Sequence, residues 1–156
     1  MDKLWAPWRT AYLYAKKKSG CIFCKSLKGK DKTWVVLKNE FSFVVLNKYP
    51  YNNGHILAAP IRHVADISSL REEEIVDLFK TVVKAKKILK QTLKPAGFNI
   101  GINIGSAAGA GITGHLHIHI VPRWKGDTNF MPVLNNTKII SQSLEELYRL
   151  LKKNAK

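Results

Sequence analysis

Three histidines stand at alternate positions in Gly114-His115-Leu116-His117-Ile118-His119-Ile120-Val121-Pro122-Arg123. In extended backbone successive side chains point to opposite faces, so His115, His117 and His119 share one face while Leu116, Ile118 and Ile120 share the other. The apolar face suits a core, and the imidazole row then meets a cleft, a metal or a ligand. Imidazole titrates near neutrality and its neutral form ligates metals and attacks electrophiles. Three readings of the row stay open on this pattern: a half-exposed strand with no chemistry, a catalytic metal held by alternating imidazoles, and attack on phosphorus. The segment just upstream, from Asn103 to Gly114, carries Gly105, Gly109 and Gly111, and such a loop lets backbone amides approach phosphate oxygens. No Gly-Lys-Ser/Thr follows it, and it leads into a strand rather than a helix, so it is neither a Walker loop nor a dinucleotide fingerprint. Glycines and imidazoles together point to phosphoryl or nucleotidyl transfer.

Cys21 and Cys24 are the only cysteines, and a pair separated by two residues suits a metal site or a redox pair better than a structural disulfide. Two thiolates need two further ligands to close a tetrahedral zinc shell, and histidines must supply them. A zinc finger is excluded, because its cysteine and histidine pairs lie about a dozen residues apart and its histidines sit on a helix. A long-range site using His63 and one histidine of the row remains. The alternatives are a redox pair, which lacks its usual strand–helix setting, and two unrelated buried cysteines.

Positioning such a row requires a sheet. Residues 33–38 and 41–47, rich in Val and Phe and separated by Asn39-Glu40, predict a β-hairpin. After the turn residues Tyr49-Pro50-Tyr51-Asn52-Asn53-Gly54, residues 55–59 predict a third strand that ends at Pro60. Ile75, Leu78, Phe79, Val82, Val83, Leu89 and Leu93 recur at three- and four-residue steps and predict a long helix over 68–93, capped by Ser69 with Glu72 and stopped by Pro95 to Gly97. Residues 98–104 and 116–121 predict two more strands and 143–153 a short terminal helix, with loops at 25–32 and 105–114. No repeat, linker or composition break divides the chain. The expected fold is α+β: one domain over 1–156, an antiparallel five-stranded sheet, one long helix and a short C-terminal helix.

Composition bounds the function. The 156 residues carry 26 Lys and Arg against 11 Asp and Glu, a formal charge of +15, which favours a polyanionic partner. At 46% hydrophobic residues the chain is too apolar for a disordered basic tail. It contains no apolar run long enough for a membrane span and no signal-peptide stretch, so a cytoplasmic protein without a membrane partner is expected. The basic residues are spread through 16–18, 25–32, 84–90 and 152–156 with no recognition motif around them, which weighs against a specific nucleic-acid-binding module.

The His-x-His-x-His run resembles the histidine triad (HIT) family of nucleotide hydrolases and transferases. Further motifs are similar to the branch containing diadenosine tetraphosphate phosphorylases: Leu4-Trp5-Ala6-Pro7-Trp8-Arg9, the Cys21–Cys24 pair, Asn52-Asn53-Gly54-His55, Asn103-x-Gly105 with Ala108-Gly109-Ala110-Gly111, and Pro122-Arg123-Trp124-x-Gly126-Asp127-Thr128-Asn129-Phe130-Met131-Pro132. The resemblance spans nearly the whole chain. It implies a single HIT domain that cleaves dinucleoside polyphosphates, with diadenosine tetraphosphate foremost, through a covalent nucleotidyl intermediate on His117. His119 would hold the α-phosphate and assist proton movement, while Asn103 and the amides around Gly109, Ala110 and Gly111 would bind non-bridging oxygens. Asn47 would bond the ribose hydroxyls, and Ile22, Phe23 and Leu46 would line the base pocket, a role that competes with plain core packing for these three.

The resemblance also implies one structural zinc per chain on Cys21, Cys24, His63 and His115, no organic cofactor, and a homodimer that joins two sheets. His55 would lie near the nucleotide. Some relatives carry a hydroxyl residue where this chain reads Ala110-Gly111; Thr113 is the expected substitute, and phosphate and water both stay open as acceptor. Hydrolysis of adenosine phosphoramidates, as in smaller members of the family, is the alternative activity.

Overall fold

The expected hairpin forms where Val and Phe crowd the chain. In the computed structural model, which describes residues 20–29, 34–128 and 139–155, strands β1 (Val35–Lys38) and β2 (Ser42–Leu46) pair antiparallel. The turn between them closes where the Asn39 N–H donates to the Ser42 carbonyl at 2.8 Å. Strand β3 (Ile56–Pro60) pairs with β2 along its whole length. Strands β4 (Gly97–Ile102) and β5 (Ile118–Arg123) complete an antiparallel sheet of order β1-β2-β3-β5-β4. The motifs at 4–9 and 129–132, and the lysines at 16–18, lie outside the described residues.

Both faces of the central strands are covered, so β2 and β3 are buried at every position. One face carries Val44, Leu46, Ile56, Ala58, Ile118 and Ile120, packed against Leu78, Val82 and Leu89 of helix α2 (Glu72–Leu93) and Leu147 and Leu151 of helix α3 (Leu144–Asn154). The other carries Phe43, Val45, Leu57 and Ala59, packed around Phe23 of helix α1 (Ile22–Leu27). Register puts Leu57 opposite His119, so the histidine face is this second one. Gly54, at φ +78, lets the loop before β3 settle on α2 and β5: a Cβ there would meet Leu93 Cδ1 at 2.5 Å and Pro122 Cγ at 2.9 Å.

Several boundaries depart from expectation. Helix α1 occupies part of the stretch expected to be a loop, because Phe23 is buried completely and anchors it. The cap of α2 is not Ser69 with Glu72. Ser69 belongs to a 3-10 turn, Ile67–Ser69, capped by Asp66, and the helix begins at Glu72, where the Arg71 N–H donates to Glu74 at 2.9 Å. Glu74 is buried and gripped by Arg62 through Nε at 2.9 Å and Nη2 at 2.6 Å, which holds its carboxyl far below the usual carboxylate range. The buried stripe of α2 runs through Leu78, Val82, Ala85 and Leu89, whereas Phe79 and Val83 of the predicted stripe are exposed. The strand of histidines begins at Ile118 rather than Leu116, since residues 115–117 run ahead of the ladder. Among the described residues, no helix is long and apolar enough to cross a membrane.

Candidate active site

The triad alternates as its sequence requires. Leu116, Ile118 and Ile120 are buried in the core under α2, and on the other face His115 and His117 lie against Phe23 of α1. Their rings belong to one continuous row. His63 meets His115 edge-on at 5.1 Å between ring centroids; Phe23 lies 4.9 Å from His115 and 5.1 Å from His117; His117 lies 4.9 Å from His119; and Tyr51 stacks on His119 at 5.5 Å and 13°. His115 and His117 are buried, His119 is half-buried, and Tyr51 is 56% exposed. The row therefore runs from the cysteine pair out to solvent.

Hydrogen-bond partners assign the protons. A carbonyl only accepts, so His117 donates through Nδ1 to the His115 carbonyl at 2.8 Å, and its Nε2 keeps a lone pair. His115 likewise donates through Nε2 to the Pro60 carbonyl at 2.9 Å, leaving its Nδ1 lone pair toward the cysteines. A backbone amide only donates, so the Tyr51 N–H at 3.0 Å makes His55 Nδ1 an acceptor and puts the His55 proton on Nε2. That proton points to His119 Nδ1 at 2.9 Å, which places the His119 proton on Nε2. Burial first, and the adjacent imidazoles second, push His55 down to about 3 and His119 to about 4, so both rings are neutral at physiological pH. In the tautomers these partners set, the His119 N–H is on Nε2 and a neutral His117 ring carries its lone pair on Nε2.

The metal-type residues meet although they come from three regions of the chain. Cys21 Sγ lies 3.2 Å from His115 Nδ1, Cys24 Sγ lies 3.4 Å from His63 Nδ1, and the two Nδ1 atoms are 3.2 Å apart. All four ligand atoms lie within 4.8 Å of one another, so this group can hold a metal ion. Two thiols and two imidazoles suit a tetrahedral metal, and the Pro60 carbonyl orients His115 as an outer partner should. Burial raises the Cys24 thiol, with the hydrogen bond that its S–H makes to Cys21 adding to it.

Other expected residues distribute unevenly. Leu46 is a correction: strand alternation sends it with Val44 to the helix-covered face, and Val45 faces the histidine side instead. Phe23 is buried beneath the imidazoles, and of the three apolar residues only Ile22 is exposed. Asn47 is half-buried and engaged within its own loop, accepting from the Tyr49 N–H at 2.9 Å and approaching His55 Nδ1 at 3.2 Å. Asn103 is half-buried just past β4. In the glycine loop, Gly105 and Gly109 adopt φ of +80 and +82, and the Gly109 and Ala110 amides donate to Ser106 and Gly105 carbonyls. Ala110 is buried, while Gly111 and Thr113 are exposed.

Two roles escaped the sequence. The proton chain through Tyr51 and His55 depends on the β3–β5 register, which no local pattern reports. The motif residues Asn52, Arg123 and Asp127 form a brace: Asn52 Nδ2 donates to Asp127 at 2.7 Å and to the Pro122 carbonyl at 3.1 Å, and Arg123 Nε donates to Asp127 at 2.6 Å. It ties the 47–55 loop to the end of β5 and so fixes Tyr51 and His55 against the triad.

Comparison with known proteins agrees with this geometry. Residues 28–126 match the HIT domain. The chain is 41% identical over 117 residues to the AP-4-A phosphorylase of Mycobacterium tuberculosis, covering 75% of this chain and 60% of that one. It therefore spans less than two thirds of that relative's length. Among solved structures it resembles a histidine triad nucleotide-binding protein from Sulfolobus tokodaii, with a TM-score of 0.73 and 28% identity over 86% of this chain and 91% of that one. It also resembles a zinc-bound histidine triad family protein from Mycobacterium smegmatis, with a TM-score of 0.71 and 26% identity over 86% of this chain and 92% of that one.

Proposed function

The chain belongs to the histidine triad family, and from that premise we propose that it cleaves dinucleoside polyphosphates, diadenosine tetraphosphate foremost, by nucleotidyl transfer through His117. The similarity to an AP-4-A phosphorylase supports the substrate class. The observation that carries the chemistry is the tautomer of His117: with Nδ1–H donated to the His115 carbonyl, the lone pair of the neutral ring is on Nε2. Nε2 attacks the α-phosphorus, the N–P bond forms as the bond to the bridging oxygen breaks, and the departing nucleotide keeps the electron pair. The positive charge left on the imidazole is stabilised through Nδ1–H by the same carbonyl. His119, whose Nε2–H is set by the His55 chain, donates to the phosphate oxygens as charge develops there. Orthophosphate or water then attacks the same phosphorus, and the N–P electron pair returns to His117.

Asn103, the Gly111 amide and Thr113 stand at the loop end as binders of non-bridging oxygens in this scheme. The remaining Oδ1 lone pair of Asn47 is the ribose contact, and Ile22 flanks the base. Cys21, Cys24, His63 and His115 would hold zinc, with Phe23 seated between the cysteines and the nucleophile. Two thiolates and two imidazoles fill a tetrahedral shell and leave no open position, so the ion is structural and supplies no step. The protein acts as one domain in the cytoplasm without an organic cofactor, and as a homodimer paired at the edge strand β4, where Ile100 is exposed.

Incubating the protein with diadenosine tetraphosphate, with and without orthophosphate, tests the proposal. ADP with ATP as products identifies phosphorolysis, and AMP with ATP identifies hydrolysis. His117→Ala removes the attacking nitrogen and is expected to lower turnover on the order of a thousandfold or more. Full activity in that variant rules the mechanism out.

A further inference from the structure

The row of rings that starts at the cysteine pair ends in the open. Its last member, Tyr51, lies parallel to His119 at 13° and 5.5 Å, and 4.5 Å from His55, yet 56% of the residue is exposed. One face of the phenol is thus covered by catalytic-site imidazoles while the residue as a whole stays open to solvent. A tyrosine recruited only for packing would bury its ring, and one that was merely solvated would not lie parallel on His119; its amide donates to His55 Nδ1 at 3.0 Å. That amide contact sets the backbone of Tyr51 relative to the triad, and the Asn52–Asp127 hydrogen bond holds the next residue. The ring is therefore presented in a defined position at the mouth of the site. The same loop carries Lys48 and Tyr49, which is also about half exposed, with Lys48 Nζ 5.7 Å from the Tyr49 ring centroid. An aromatic face with a lysine next to it is the chemistry that receives a nucleobase joined to a phosphate chain.

We propose that Tyr51 is the stacking platform for the base of the departing nucleoside, with Lys48 of the same loop available to the polyphosphate chain. The subsite rests on the dinucleoside polyphosphate function proposed above. His119 donates at the phosphate whose bridging bond breaks, so the departing chain leaves past that ring, and among the described residues the next ring outward is Tyr51. A base laid on Tyr51 extends the row by one member. Stacking on a phenol is tolerant of base identity, so the platform selects substrates with a second nucleoside over those without one, and does so with little preference for which base it is.

The test compares diadenosine tetraphosphate as substrate with adenosine 5′-tetraphosphate, which has the same phosphate chain and no second base, as competing ligand. In Tyr51→Ala, KM for the dinucleotide rises about tenfold while Ki of the mononucleotide stays within about twofold. Tyr51→Phe and Tyr51→Trp keep KM near the wild-type value because the stacking face is retained. Tyr51→Leu, which preserves bulk without a π face, repeats the loss and serves where the alanine variant fails to fold. KM and Ki rising together would show that the ring only shields His119, and overturns the subsite. Unchanged values in the alanine or leucine variant overturn it as well. A wild-type protein that turns over no dinucleoside polyphosphate overturns the function proposed above and the subsite with it, and that result is read before any variant is made.

Discussion

Each imidazole of the site owes its proton position to one fixed partner, and that has a measurable consequence in acid. His55 Nδ1 accepts from the Tyr51 amide and His119 Nδ1 accepts from His55, so protonating either Nδ1 breaks a hydrogen bond already made. Burial acts in the same direction, which is why the two rings sit at about 3 and about 4. A histidine in the unfolded chain titrates near 6.5. Between about 4 and 6.5 the unfolded chain therefore binds protons that the folded one refuses, so stability rises with pH across that window and is lost as pH falls through it. Thermal unfolding at pH 7, 6 and 5 should show this decline. His55→Asn should be less stable at pH 7 but decline less steeply; parallel declines in the two proteins would mean that the buried chain does not titrate as described. At this scale much of the site was legible, since alternation alone assigned the faces of His115, His117 and His119. Leu46 departs from its expected base-lining place because the parity of β2 puts it with Val44 on the helix side. His55 and Tyr51 were visible as residues but not as a relay, because their contacts cross from one strand to another.

Helix α1 shows what a short element needs in order to stay. Six residues are too few for a helix to be stable on its own, and the N-cap Cys21 makes no side-chain capping bond. Among the described residues, two contacts hold it to the sheet: Phe23, fully buried against Phe43 and the imidazoles with Leu27 packed on the same cluster, and the meeting of Cys21 and Cys24 with His63 and His115. With zinc as the proposed occupant, the ion is the larger of the two constraints, because a structural zinc site carries folding energy directly. Chelation should therefore strip protection from amide exchange at residues 22–29, while β2, β3 and β5 keep theirs. Turnover should fall in step, since the His115 carbonyl that sets His117 belongs to the same cluster. Unaltered protection at 22–29 after complete metal removal would leave the Phe23 contact as the anchor and remove zinc from the structural account. The sheet and α2 were foreseeable from period and composition, whereas α1 was not. Its six residues are too short a run to show a helical period, and the reason it is helical lies in partners far along the chain. The same holds for the cap of α2, where Arg62, joined to Glu74 from another segment, outweighs the local Ser69 and Glu72 signal.

For the whole molecule, the formal charge of +15 and the neutrality of the imidazole chain have to be reconciled. The groups proposed to bind phosphate directly are the Gly111 amide, Asn103, Thr113 and imidazoles, with Lys48 alone among the cations, so most of the 26 Lys and Arg residues do not touch the substrate. A field of one sign still acts at a distance, because it raises the encounter rate of a polyanion with a cleft and is screened by salt over about 10 Å at 0.1 M. Steering predicts that kcat/KM for diadenosine tetraphosphate falls as salt rises from about 0.05 to about 0.5 M, by about tenfold, while kcat changes little, since chemistry at His117 involves local groups only. Two chains of +15 repel one another, and a dimer paired at β4 would itself be favoured by salt. The comparison is therefore made at protein concentrations where light scattering reports one mass throughout. A flat kcat/KM would make the lysines solvating charges only. A parallel loss of kcat would place salt-sensitive groups in the catalytic step and contradict the neutral chain drawn from the hydrogen bonds. Duplex DNA added at physiological salt separates the remaining case: strong competition against the nucleotide would mean that the basic surface serves a polymer, whereas weak competition that vanishes with salt is what a field tuned only to deliver a small polyphosphate produces.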